Sequence, residues 1–125
     1  MLYVADLIGV PFLEFGRNPE IGLDCYGLCI ECARRNGKIL KDVALQKFDK
    51  NKVQNTIPEL NVKKTDCIKE GCILEFYGKS DGRLHVAYAL DAKKFIQATE
   101  TQGVRISTVD SAKMYLNLAA VYEVV

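Results

Sequence analysis

Residues 22–37 read Gly22-Leu-Asp-Cys25-Tyr-Gly-Leu-Cys29-Ile-Glu-Cys32-Ala-Arg-Arg35-Asn-Gly37, and the fold turns on them. Cys25, Leu28, Cys29, Cys32 and Ala33 recur at the spacing of one helical face, so the stretch predicts a helix with a buried stripe. Asp24 supplies an N-cap oxygen for the orphan N–H groups of the first turn. Arg34 and Arg35 complement the negative end of the dipole, and Gly37 suits a left-handed stop. The three cysteines also raise a metal or iron–sulfur reading. Ligands of that kind converge from a loop, whereas these share the apolar face of a capped helix. With Cys67 and Cys72 as the remaining thiols and His85 as the only histidine, the spacings match no zinc pattern. Cys29 and Cys32 therefore read as small apolar core residues, and a metal is not expected.

Cys25 differs from the others by position. It follows the N-cap directly, where backbone N–H groups lack intrahelical acceptors. The positive end of the helix favours thiolate over thiol, and the same N–H groups suit a developing oxyanion. A thiolate beside an oxyanion site is equipped for acyl transfer, provided that a base is near. His85 is the single imidazole. It falls in the strand-like run Leu84-His-Val-Ala-Tyr-Ala-Leu90, on the face shared with Ala87 and Ala89, whose small side chains leave room beside it. The next run, Lys94-Phe-Ile-Gln-Ala-Thr99, carries one polar residue, Gln97, among apolar neighbours. A hairpin joining the two runs would set Gln97 beside His85 and orient its ring through one nitrogen.

Outward from these residues the chain divides in two. Residues 2–8 predict a short helix ended by Gly9-Val-Pro11, and residues 16–23 an irregular loop. Residues 42–58 predict one or two weak helices, such as 50–56. From Cys72 onward come strand-like runs at 72–77, 84–90, 94–99, 104–107 and 118–125, with turn signals such as Asp81-Gly82 and a short helix near 109–115. Helices first and closely spaced antiparallel strands afterwards make an α+β arrangement. A length of 125 residues, 49% of them hydrophobic, fits one domain over 1–125 with one substantial core.

Charge and composition narrow the classes of function. Seventeen Lys and Arg against sixteen Asp and Glu give a net charge of +1, which offers no electrostatic footprint for nucleic acid or an anionic membrane. Five cysteines are an odd and sparse number for a disulfide scaffold and suit a reducing compartment. The first fifteen residues have no basic start before an apolar run, so synthesis in the cytoplasm without a signal peptide is expected. No stretch reaches the apolar length of a membrane span.

Gly22-Leu-Asp-Cys-Tyr-Gly-Leu28, Glu70-Gly-Cys-Ile-Leu-Glu-Phe76, His85-Val-Ala-Tyr-Ala-Leu90, Phe95-Ile-Gln-Ala98 and Gly103-Val-Arg-Ile-Ser107 resemble, in that order, the NlpC-like cysteine peptidases. That family has a papain-like fold and acts on bacterial cell-wall stem peptides. Gly9-Val-Pro-Phe12 followed by Gly16-Arg-Asn-Pro19 is similar to the branch found in phage and prophage tail proteins. The resemblance implies a nucleophile-bearing helix start packed on a central antiparallel sheet. It implies Cys25 as nucleophile, His85 as general base and Gln97 as the ring-orienting third residue, with Asp24, Tyr26 and Phe12 around the substrate groove. The implied reaction is hydrolysis of a peptidoglycan stem amide, commonly between D-γ-glutamate and the diamino acid, with no metal or organic cofactor. Stem peptides are the implied partners, and phage tail proteins a further one, with incorporation into a tail or virion. Two departures stand out. Phe12 occupies a position where the family often has Tyr, and Tyr26 one where Ser is commoner. The first raises an alternative, a module that keeps the fold but serves tail assembly or wall binding with little activity.

Overall fold

The computed structural model describes residues 2–42 and 60–125. Its centre is a six-stranded antiparallel sheet in the order β3-β8-β4-β5-β6-β7. The strands are β3 (Val62–Thr65), β4 (Cys72–Gly78), β5 (Leu84–Ala89), β6 (Lys94–Thr99), β7 (Gly103–Thr108) and β8 (Leu116–Val124). A two-residue hairpin, β1 (Arg17–Asn18) with β2 (Gly22–Leu23), leads into helix α1 (Cys25–Arg35). A single 3-10 turn at Ala5–Leu7 precedes them, and the one-turn helix α2 (Val109–Ala112) links β7 to β8. The α+β architecture expected above is the one observed.

Burial explains the topology. β4 is buried along its first six residues, as a central strand covered on both faces should be. Its even and odd positions feed different clusters: Ile73 and Tyr77 join the core under α1, whereas Cys72, Leu74 and Phe76 join a second core closed by Ala112 of α2. The β5–β6 turn is fixed by Asp91, whose Oδ1 accepts the N–H groups of Lys93 and Lys94 at 2.8 and 2.7 Å.

The α1 stripe behaves as its spacing requires. Leu28, Cys29, Cys32 and Ala33 have no exposed surface. At its C-terminus the Lys38 N–H donates to the Ala33 carbonyl and the Gly37 N–H to that of Arg34, a Schellman closure made possible by Gly37 at φ +77°. Arg35 grips Asp6 with Nη1 and Nη2 and Glu31 with Nε, which fastens the N-terminal segment to the helix end. Hydrogen bonds, from Arg34 first and then Arg35, hold the Glu31 carboxyl below its ordinary range. A lowered folded-state value contributes stability that is complete above the unfolded value of about 4.3 and lost as pH falls through the folded one. Thermal unfolding followed against pH should therefore show Glu31→Gln destabilised by about 1 kcal/mol at neutral pH. The difference from wild type should close in acid.

Several expected boundaries shift. Residues 16–23 hold the β1–β2 hairpin instead of a loop, because Leu23 joins the core. The short helices near residues 2–8 and 109–115 shrink to single turns. β3 was not expected; its two lysines are exposed on a sheet edge, where charge discourages further strand pairing. The weak helix expected around residues 50–56 lies outside the described residues.

Candidate active site

The start of α1 is built around Asp24. Its extended backbone (φ −89°, ψ −179°) turns the side chain back on the helix, and Oδ1 accepts the Gly27 N–H at 2.6 Å. Arg17 Nη1 donates to the same oxygen at 2.8 Å, and the Phe15 N–H donates to Oδ2 at 3.0 Å. That last bond holds Phe15 in the left-handed region at φ +60°. The carboxylate thus ties together the β1–β2 hairpin, the loop before it and the helix start. Gly27 completes the joint: a Cβ there would stand 2.0 Å from the Gly16 carbonyl oxygen. Gly27→Ala should cost about 3 kcal/mol in chemical denaturation, since the obstacle is backbone that must move.

Cys25 occupies the first helical position, is 9% exposed, and opens onto a cleft of about 350 Å³. Phe12, Leu84, His85, Gln97 and Leu116 are among the residues that line it with Cys25. The β5–β6 ladder explains why consecutive residues reach the same cleft. Its pairs are Tyr88 with Ile96 and Ala89 with Phe95, so the strands diverge before His85 and Gln97. Continued, that register sets Gln97 level with Ala87, one pleat from His85 on the same face. The two side chains bridge the gap, with His85 Nε2 2.8 Å from Gln97 Oε1. Gln97 is 1% exposed, and its Nε2 donates to Ser107 Oγ on β7 at 2.9 Å. With the amide oxygen facing His85, the neutral ring carries its proton on Nε2 and presents Nδ1 as the basic nitrogen. The Phe76 ring lies 6.3 Å from the imidazole and 5.3 Å from Phe95, centroid to centroid, so apolar side chains back the ring.

The structure brings Cys25, His85, Gln97 and Phe12 to one cleft and leaves Asp24 and Tyr26 out of it. Asp24 spends its carboxylate on capping and on Arg17. Tyr26 is 2% exposed and its hydroxyl donates to the Lys41 carbonyl, which turns the side chain into the protein body. Phe12 reaches the cleft through a bridge to Leu23, directly before the helix. Two residues escaped sequence reasoning. Ser107 extends the polar line from Gln97, a role legible only once the β6–β7 register pairs Gln97 with Arg105. Arg17 braces Asp24, and no local spacing announces it.

The thiols separate cleanly. Burial pushes Cys32 up to about 12 and raises Cys29 well above the ordinary thiol range. Both stay protonated inside the core, and among the described residues no cluster of His, Cys, Asp and Glu is arranged to hold a metal ion. Iodoacetamide at neutral pH should label Cys25 first and the exposed Cys67 more slowly. Cys29, Cys32 and Cys72 should remain unlabelled in the native protein, as peptide mass mapping would show.

A cysteine at a helix start, set against an antiparallel sheet that carries a histidine and a buried amide, defines the NlpC-type α+β class. The chain belongs to the NlpC/P60 family, whose model matches residues 9–123. Among solved structures it is similar to an NLP/P60 family protein, described as similar to lipoprotein, from Staphylococcus aureus subsp. aureus Mu50. The TM-score is 0.63 and the identity 19%, over 95% of this chain and 38% of that one. It is also similar to the NlpC/p60 domain of the peptidoglycan hydrolase SagA, with a TM-score of 0.61 and 22% identity over 94% of this chain and 92% of that domain. The chain thus spans well under half the length of the staphylococcal protein, and at these identities the likeness is one of fold. No curated protein matches it by sequence. Among the described residues no helix is long and apolar enough to cross a membrane.

Proposed function

We propose that this chain is a cysteine peptidase that hydrolyses an amide in peptidoglycan stem peptides, the bond between D-γ-glutamate and the diamino acid. Cys25 is the nucleophile, His85 the general base and Gln97 the residue that orients the ring. His85 Nδ1 takes the thiol proton as sulfur attacks the carbonyl carbon, and returns it to the departing amine. The backbone N–H of Cys25 meets the oxyanion at the positive helix end. Water then attacks the thioester, giving its proton to Nδ1 and releasing the acid and the thiol. The observation that carries this reading is the placing of Cys25, His85 and Gln97 on one cleft, with the imidazole bonded to the amide. Family membership supports it, as does the fold shared with a domain of a peptidoglycan hydrolase.

The segment from Gly9 to Pro19 favours a phage or prophage tail-associated enzyme, delivered to the wall with the tail. Phe12 favours a second reading. It lines the cleft with a ring that has no hydroxyl to offer, which suits a module of low activity that docks on tail proteins or wall fragments. Digestion of stem peptides with mass readout separates the two. The peptidase reading expects cleavage that Cys25→Ala and His85→Ala abolish; the assembly reading expects binding without cleavage by all three proteins.

A further inference from the structure

We propose that Arg83 reads a free carboxylate on the acyl side of the scissile amide, so that the cleft selects γ-linked glutamyl peptides over their α-carboxamide counterparts. This rests on the peptidase reading and adds to it the feature of the substrate that is recognised. Among the described residues lining the cleft with Cys25 and His85, Arg83 is the only lysine or arginine. Its backbone is fixed twice: the Arg83 carbonyl accepts the Gly78 N–H at 2.9 Å, and its N–H donates to Asp81 Oδ1 at 3.0 Å. The residue is thereby fixed at the rim, two residues before His85. Asp81, the acid on that turn, is engaged in shaping it.

Arg83 Nη2 donates to Glu100 Oε1 at 2.6 Å, and the two side chains are 32% and 49% exposed. This ion pair spans the open end of the β5–β6 pair, just outside His85 and Gln97. A pair so exposed is worth little on its own, so a substrate carboxylate can replace Glu100 at small net cost. Arginine's planar fork then receives it through two parallel hydrogen bonds. In a γ-glutamyl amide the carbon bearing the free carboxylate is only two methylenes from the scissile carbonyl. The anion and the reacting carbon therefore both lie within one small cleft. Glu100 keeps Arg83 neutralised and in place until the substrate arrives.

The test measures binding to the Cys25→Ala protein, which cannot turn its ligand over. Calorimetry would compare L-alanyl-γ-D-glutamyl-L-lysine with the same peptide carrying an α-carboxamide on the glutamyl residue. The free acid should bind about tenfold more tightly, as expected for a charge-assisted bidentate contact. Adding Arg83→Gln should bring the acid down to the carboxamide's affinity. Adding Glu100→Gln breaks the same ion pair but keeps the cation, and should preserve or enlarge the preference. Equal affinities, binding of neither peptide, or loss of the preference with Glu100→Gln would overturn the proposal, the last by showing that the pair serves only as a clasp. The two readings fail separately. A wild-type protein that prefers the acid but cleaves neither peptide sinks the peptidase reading alone. Cleavage of both without preference sinks this one alone.

Discussion

Cys25→Ala is expected to lower stem-peptide hydrolysis at least a thousandfold, about 4 kcal/mol of transition-state stabilisation, while leaving the protein folded. The loss should be large because, in the proposed mechanism, the thiol makes and breaks the covalent bond; removing it would leave only binding and the oxyanion donors. The fold survives because alanine is the best helix former and Asp24, not Cys25, makes the capping bond to Gly27. Steady-state rates together with thermal unfolding check both halves: activity gone, Tm nearly unchanged. A variant that kept a tenth of the wild-type rate would mean that another group attacks.

His85→Ala should cost a similar factor, again about a thousandfold, since general acid–base transfer contributes on the order of 10²–10⁴ and also sustains the thiolate. No other imidazole exists in the chain to replace it. Gln97→Ala should cost less, about ten- to a hundredfold, because the ring remains but its orientation is lost. That variant should also lose about 1 kcal/mol of stability, for Gln97 is 1% exposed and its hydrogen bonds to His85 and Ser107 go with it. Rate–pH profiles distinguish the roles. His85→Ala should lose the limb belonging to the imidazole, whereas Gln97→Ala should retain it at reduced height.

Much of this arrangement was legible in the sequence because its signals are local. The stripe from Cys25 to Ala33 fixes one helix, Asp24 and Gly37 fix its ends, and hairpin-spaced runs place His85 near Gln97. What escaped depends on contacts between distant segments. β3 pairs with β8 across half of the chain, Val62 against Val124, and nothing in Val-Lys-Lys-Thr announces that partner. The β1–β2 hairpin is tied down by Asp24, which lies outside it and accepts a hydrogen bond from Arg17 of β1. The family resemblance set Asp24 and Tyr26 around the groove. Each residue of a helix is rotated by roughly 100° from the last, so residues adjacent in the chain face different surroundings, and these two face the protein body.

The most direct test is digestion of L-alanyl-γ-D-glutamyl-L-lysine and its diaminopimelate analogue, with products read by mass and compared with the Cys25→Ala and His85→Ala proteins. Release of the free diamino acid by wild type, lost in both variants, is the result expected. Cleavage that persists in Cys25→Ala, or an intact substrate alongside a Cys25 that alkylates rapidly, would contradict the assignment of this cleft as a stem-peptide hydrolase.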